Sequence, residues 1–347
     1  VEGGSCRQKE PVPERLGGGR YTLLERIGRG AAGTVYRARD EAGTCPRVVC
    51  VKRLTGTLAP YHARALREEA RLLTSVRHAN VLSLLAVGEE PDGLPFLVLE
   101  LIEGMDLRGL CRALGDAPGW PGLLPDLIAV HVACAVLRAL AAVQRAIPGL
   151  VHRDVTPHNI LVSNEGEIKL ADFGIALTIG RRVSGVARAR VIKGKLGYMA
   201  PEQIRGEPLD VRADLFAVGV LLYELLARVR PCSPLQGMDE LRAIEQGSLV
   251  PLALHRPRLD RSLAAAVERL LAVPRDDRFA CADDALRALA PFSAGEMGSL
   301  RLATLVVDTR ARSCAAVGSE GPEGSPTATP STRSSDGGEH PSGETSR

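Results

Sequence analysis

The hydrophobic period of this chain changes once, near residue 104, and that change restricts the folds open to it. Before it, apolar residues alternate in short runs: Tyr21–Ile27, Gly33–Arg39, Arg47–Leu54, Leu82–Glu89 and Phe96–Ile102. Alternation of this kind predicts half-buried strands. One helical stretch, His62–Val76, interrupts them, with Ala65, Leu66, Ala70, Leu72 and Leu73 spaced to pack. Beyond residue 104 the spacing predicts helices over Asp126–Ala146, Arg212–Arg228, Met238–Glu245, Leu263–Leu271 and Cys281–Leu289. A chain of 347 residues patterned this way predicts an α+β, bilobal body. Its small β-rich N-lobe carries one key helix, its larger C-lobe is α-helical, and the cleft between them is a natural ligand site.

The folded body is expected over 20–291, as an N-lobe of 20–102 and a C-lobe of 103–291. Residues 1–19, ending in Gly17-Gly18-Gly19, predict a flexible leader. Residues 292–347, rich in Ser, Gly, Pro and Thr, predict a mostly disordered tail.

Composition excludes several classes of function. Forty-four basic residues against 41 acidic give a net charge of +3, and aromatics are 3%, a poor basis for gripping nucleic acid. Eight cysteines are scattered without a CxxC pair, so they predict reduced apolar fillers rather than disulfides or a zinc site. The N-terminus carries Glu2 and Glu10 and no apolar run, unlike a signal peptide. Ala213–Ala227 is strongly apolar but short and contains Asp214 and Glu224; Leu300–Val307 is shorter still. Neither meets the length of a membrane span, so no membrane and a cytoplasmic location are expected.

Three groups of residues carry chemistry. Gly28-Arg29-Gly30-Ala31-Ala32-Gly33 lies between two strand-like runs, at a hairpin tip where backbone without Cβ atoms can lie over phosphates. A dinucleotide-binding turn has the same spacing but needs a helix after it, and here a strand follows. Lys52 sits among the apolar neighbours Val49, Cys50 and Val51, so its ammonium needs a partner. Glu69 borders the packing face of the following helix and can supply one, whereas Glu68 points outward. Asp154, Asn159 and Asp172 are brought together by a hairpin of about 18 residues. A carboxylate beside an amide oxygen suits Mg²⁺, and a second carboxylate can take or orient a hydroxyl proton.

The ordered set GRGAAGTV, VCVK, Glu69, HRDVTPHN, ADFG, YMAPE and Arg278 resembles the eukaryotic-type Ser/Thr protein kinases of bacteria, over roughly residues 21–291. The resemblance implies a protein-kinase fold that moves the γ-phosphoryl group of ATP, with Mg²⁺, to Ser/Thr hydroxyls of protein substrates, itself included. It implies that Gly28, Gly30 and Gly33 cover the phosphates, that Lys52 with Glu69 holds them, that Asp154 is the base and that Asn159 and Asp172 bind Mg²⁺. Glu100 to Ile102 would be the hinge that meets adenine, Leu99 the gatekeeper, and Val35, Cys50 and Leu161 the adenine enclosure. Glu202 is expected to pair with Arg278, Asp214 to brace the catalytic loop, and His152, Phe173 and Leu73 to pack in one column. His131 is expected at the surface or as a satisfied helix residue. A pseudokinase or scaffold that binds ATP without transfer is the alternative.

Two positions depart from the family. Thr156 stands where Ser/Thr kinases carry Lys, and Lys195 where they carry Thr. Ala187 and Ala189 occupy the usual places of activating phosphothreonines. Between Phe173 and Ala200 the only hydroxyl residues are Thr178, Ser184 and Tyr198, among Arg181, Arg182, Arg188, Arg190, Lys193 and Lys195. The expectation is a basic loop ordered by an acidic partner or substrate rather than by phosphate.

Overall fold

A computed structural model describes residues 15–29, 33–55, 59–115, 124–173 and 196–318. The chain divides into two compact units, Val1–Thr309 and Arg310–Arg347.

The first unit opens with a six-stranded antiparallel sheet in the order β1-β2-β3-β4-β6-β5. Its strands are β1 (Arg15–Leu16), β2 (Tyr21–Arg29), β3 (Gly33–Asp40), β4 (Arg47–Leu54), β5 (Leu84–Glu89) and β6 (Pro95–Leu99). Alternation decides which face is inward. In β3, Tyr36 and Ala38 are buried with Val49 and Val51 of β4, and with Phe96 and Val98 of β6, in a core of their own. Helix α1 (Ala59–Ser75) covers the opposite face through Leu66, Ala70 and Leu73, which join the main core.

The larger lobe is built on two helices that are apolar nearly all round, the signature of burial rather than of an exposed amphipathic surface. These are α3 (Asp126–Ala146) and α5 (Arg212–Ala227), packed against each other at its centre. Helix α3 is long and apolar enough to cross a membrane, and 78% of its apolar window is buried inside the protein. Around them lie α2 (Leu107–Gly115), α4 (Pro201–Arg205), α6 (Met238–Gln246), α7 (Leu252–His255), α8 (Arg261–Leu270) and α9 (Ala282–Leu289). A small sheet, β7 (Gly104–Asp106), β8 (Ile160–Ser163) and β9 (Ile168–Leu170), sits at the lobe junction. Leu82 donates its N–H to Leu170 O at 3.0 Å and Leu170 to Asn80 O at 2.8 Å, so the segment after α1 is tied directly to β9.

Three expectations need correction. The stretch read as a leader contributes β1, with Leu16 buried against Tyr21 and Phe96; Gly17, Gly18 and Gly19 make the turn to β2 with positive φ. The stretch read as tail contains α10 (Glu296–Gly318), whose Leu302, Val306 and Thr309 are buried in the first unit. His131 is buried rather than at the surface. Its Nε2 meets Ser299 Oγ at 3.3 Å, its Nδ1 has no partner among the described residues, and its ring lies against the backbone of Gly298, leaving no room there for a Cβ.

Candidate active site

Strand pairing fixes Lys52 in mid-sheet: Val35 of β3 lies on one side of it and Leu97 of β6 on the other. Its ammonium donates to both Glu69 oxygens at 3.0 Å and to Asp172 Oδ1 at 2.6 Å. Burial alone would depress the Lys52 pKa, but the charges of Asp172 and Glu69 outweigh it and hold it above its ordinary value. Glu69 is buried, whereas Glu68 turns outward toward Arg71 at 3.6 Å. One cation therefore ties the sheet, α1 and the segment after β9 to a single point.

The loop before β8 is held from below. Asp214, in the first turn of α5, accepts the N–H groups of His152 at 2.7 Å and Arg153 at 2.8 Å. Arg153 takes a left-handed φ of 70°, a conformation uncommon for non-glycine residues, and these bonds over-determine it. Burial pushes the Asp214 carboxyl up to about 7 despite the two N–H donors. Asn159 Nδ2 donates to Asp154 O and to Asp154 Oδ2, both at 2.8 Å, which fixes the Asp154 carboxylate and leaves the Asn159 amide oxygen as an acceptor. Asn159 O then accepts the Ala171 N–H at 2.8 Å, so the residue before Asp172 is registered to the Asp154 loop. Asp172, half-exposed on its side chain, has φ 55°. The His152 and Phe173 rings lie 4.7 Å apart, and Leu73 and Phe173 are both in the main core.

At the junction of the lobes, Cys50 of β4 pairs with Leu99 of β6, and both are buried. Val35, Ile102 and Leu161 are half-buried against the same apolar cluster. The Glu100 N–H donates to Ser83 O at 3.0 Å, and among the described residues no backbone carbonyl accepts from Ile102 N–H. Of the glycines, Gly28 and Gly33 belong to β2 and β3; Gly30 lies outside the described residues. Gly33 is required by packing, since a Cβ there would sit 2.2 Å from Arg53 O. Thr178, Ser184, Lys193 and Lys195 also lie outside the described residues.

Sequence reasoning missed one ion pair. Buried Lys169 of β9 donates to Glu100 Oε2 at 3.1 Å, while Glu100 Oε1 accepts the Ser83 N–H at 2.7 Å. Both oxygens of the Glu100 carboxylate are thus engaged, one by Lys169 and one by the Ser83 N–H. Lys169 is one of five lysines in an arginine-rich chain, and that scarcity was the available signal. Below the site, Arg278 meets Glu202 through two bonds, at 2.7 and 2.9 Å, both residues being 2% exposed. Its remaining donors reach the carbonyls of Ala272, Arg212 and Val273. A buried pair so fully satisfied ties α4, and with it the YMAPE segment, to the lobe.

A protein kinase domain family model matches residues 21–288. The serine/threonine-protein kinase PknL of Mycobacterium tuberculosis is 39% identical over 235 residues, 67% of this chain and 54% of PknL. The tyrosine-protein kinase MasK of Myxococcus xanthus is 32% identical over 283 residues, 79% of this chain and 43% of MasK. The crystal structure of the PknI kinase domain of M. tuberculosis aligns with a TM-score of 0.60 at 26% identity, covering 82% of this chain and all of that domain. The chain spans about half or less of the length of these curated relatives.

Proposed function

The chain belongs to the protein kinase domain family, and from that premise we propose that it transfers the γ-phosphoryl group of ATP to Ser/Thr hydroxyls of protein substrates, itself included. The observation that carries the reading is the junction of Lys52, Glu69 and Asp172, with Asp154 and Asn159 registered to it through Ala171. PknL, named as a serine/threonine-protein kinase, supports the same acceptor class, whereas MasK is named for tyrosine.

In this reading Lys52 holds the α- and β-phosphates, and Glu69 keeps the ammonium from swinging away. Gly28, Gly30 and Gly33 let backbone approach the phosphates. Val35, Cys50, Leu99 and Leu161 enclose the adenine, and the backbone of Glu100 to Ile102 meets its polar edge. The donor set fits a hard divalent ion: one half-exposed carboxylate, Asp172, and one amide oxygen, Asn159, leave most of the coordination sphere to water and phosphate, as Mg²⁺ prefers. When bound, Mg²⁺ would offset phosphate charge. Asp154, oriented by Asn159, accepts the proton of the attacking hydroxyl. With these residues present and their side chains tied together, no observation favours the pseudokinase alternative. Cytoplasmic residence belongs to the same proposal.

The test is transfer from labelled ATP with Mg²⁺ to a generic protein substrate. Lys52→Met and Asp154→Asn should each fold and each lose transfer by at least about a hundredfold. Folded variants that turn over like the unaltered chain would overturn the assignment.

A further inference from the structure

Beside the catalytic loop, between α2 and the C-terminal end of α5, lies a cavity of about 250 Å³. Its walls carry Arg108, Arg112 and Arg228, with Pro157 from the turn that follows Asp154. The acid lining it, Glu224, is already engaged. One of its oxygens accepts from Arg108 at 3.3 Å and the other from the Tyr198 hydroxyl, which belongs to the YMAPE segment. The side chains of Arg112 and Arg228 make no hydrogen bond or ion pair with any described residue. Arg108, Arg112 and Arg228 are all exposed, so a ligand can reach them, and Arg228 has a defined seat at one end of the cavity. It ends α5 at φ 62°, and its guanidinium lies over Gly115, where a Cβ would sit 2.2 Å from Nη2.

The bland account is that these arginines offset the partial negative charge at the ends of α2 and α5. Two helix C-termini amount to roughly one negative charge in total. Set beside Glu224, that leaves about one positive charge of the three without a counterpart among the described residues. Cys111 does not supply it, because burial pushes its thiol up to about 12 and keeps it neutral. Leucines on the wall, Leu114 and Leu225 among them, lower the local dielectric and strengthen any charge pairing made there.

We propose that this cavity is a subsite for a carboxylate side chain, Asp or Glu, of the protein substrate, flanking the hydroxyl to be phosphorylated. The inference rests on the kinase reading above and narrows it to acidic substrates. Pro157 on one wall and Tyr198 at Glu224 place the subsite next to both segments that would bracket the acceptor.

The experiment measures binding of fluorescent peptides to the full chain with Mg-ADP, each peptide carrying one Ser flanked by Glu, Ala or Lys. The Glu-flanked peptide should bind about tenfold tighter than the Ala peptide, and the Lys peptide weakest. The Arg112→Glu, Arg228→Glu double variant should lose that order and favour Lys, with its Mg-ADP melting shift unchanged. Should the double variant fail to fold, Arg112→Gln alone should reduce the discrimination severalfold. Equal binding of Glu and Ala peptides by the unaltered chain, or an unaltered preference in the folded variants, would overturn the subsite. Transfer of label is measured alongside. Transfer without charge preference overturns the subsite and leaves the kinase reading intact; charge-selective binding without transfer supports the subsite and overturns the kinase reading.

Discussion

Two side chains at the site have acid–base behaviour set by burial, and each makes a prediction. Cys50 is buried on β4 beside Leu99 of β6, and burial pushes its thiol up to about 12, with Asp172 adding to the rise and Lys52 opposing it. At pH 8 only about one thiol in 10⁴ is then ionised. Iodoacetamide should label exposed Cys45 and leave Cys50 unlabelled, with or without ATP, until the protein is unfolded; labelling of native Cys50 that ATP suppresses would contradict this. Asp214 holds its proton to about 7, against an ordinary value of 3.8. The folded state therefore binds a proton that the unfolded chain has released, so stability from this group is full below about 4 and falls as pH rises to about 7. Asp214→Asn removes the titration but has one acceptor oxygen for two N–H donors. In urea unfolding, the stability of the unaltered chain relative to this variant should fall by a few kcal/mol from pH 4.5 to 7.5. A pH-independent difference would show that the carboxylate is stabilised in some other way.

At the scale of elements, alternation and spacing made most of the secondary structure legible. The run Arg47–Leu54 is β4 and Asp126–Ala146 is α3, because the first is a short valine-rich run and the second an apolar run too long for a strand. Glu69 could be chosen over Glu68 from its place on α1 alone. What spacing could not show were contacts made across the sheet. Gly33 reads in sequence as a phosphate glycine, yet its tightest constraint is the backbone of β4, 2.2 Å from where a Cβ would stand. The Lys169–Glu100 pair joins residues 69 positions apart and has no periodic signature. Gly33→Ala should therefore push β3 from β4, destabilise by about 1–3 kcal/mol and raise the KM for ATP through the adjoining Lys52. A thermal melt with nucleotide titration checks both effects; an unchanged melting temperature would mean that the strands yield without cost.

For the whole chain, the weakest part of the sequence reading was the end of the folded body. The boundary at 291 followed composition, and composition does change nearby, but burial continues to Thr309. Helix α10 buries Gly298, Leu302, Val306 and Thr309, spaced four, four and three apart, which is a helical stripe. The stripe was hard to read because two of its four members are Gly and Thr, while Met297, Leu300 and Val307 point outward and blur the contrast between faces. Its seat is close-fitting. A Cβ on Gly298 would meet the His131 ring at 2.4 Å, and one on Gly166 would meet Ser299 O at 1.9 Å. Helix α10 is thereby packed on α3 and on the β8–β9 turn, behind the loop that carries Asp154. A chain cut after Ala294 loses Leu302 and Val306, each worth about 1.5–3 kcal/mol of burial, and leaves apolar surface of α3 in water. Its melting temperature should fall by on the order of 10 °C, whereas a cut after Arg312, beyond Thr309, the last buried residue among those described, should leave it unchanged. If the two cuts melt together, α10 rests on the lobe without stabilising it, and the folded body ends where composition placed it.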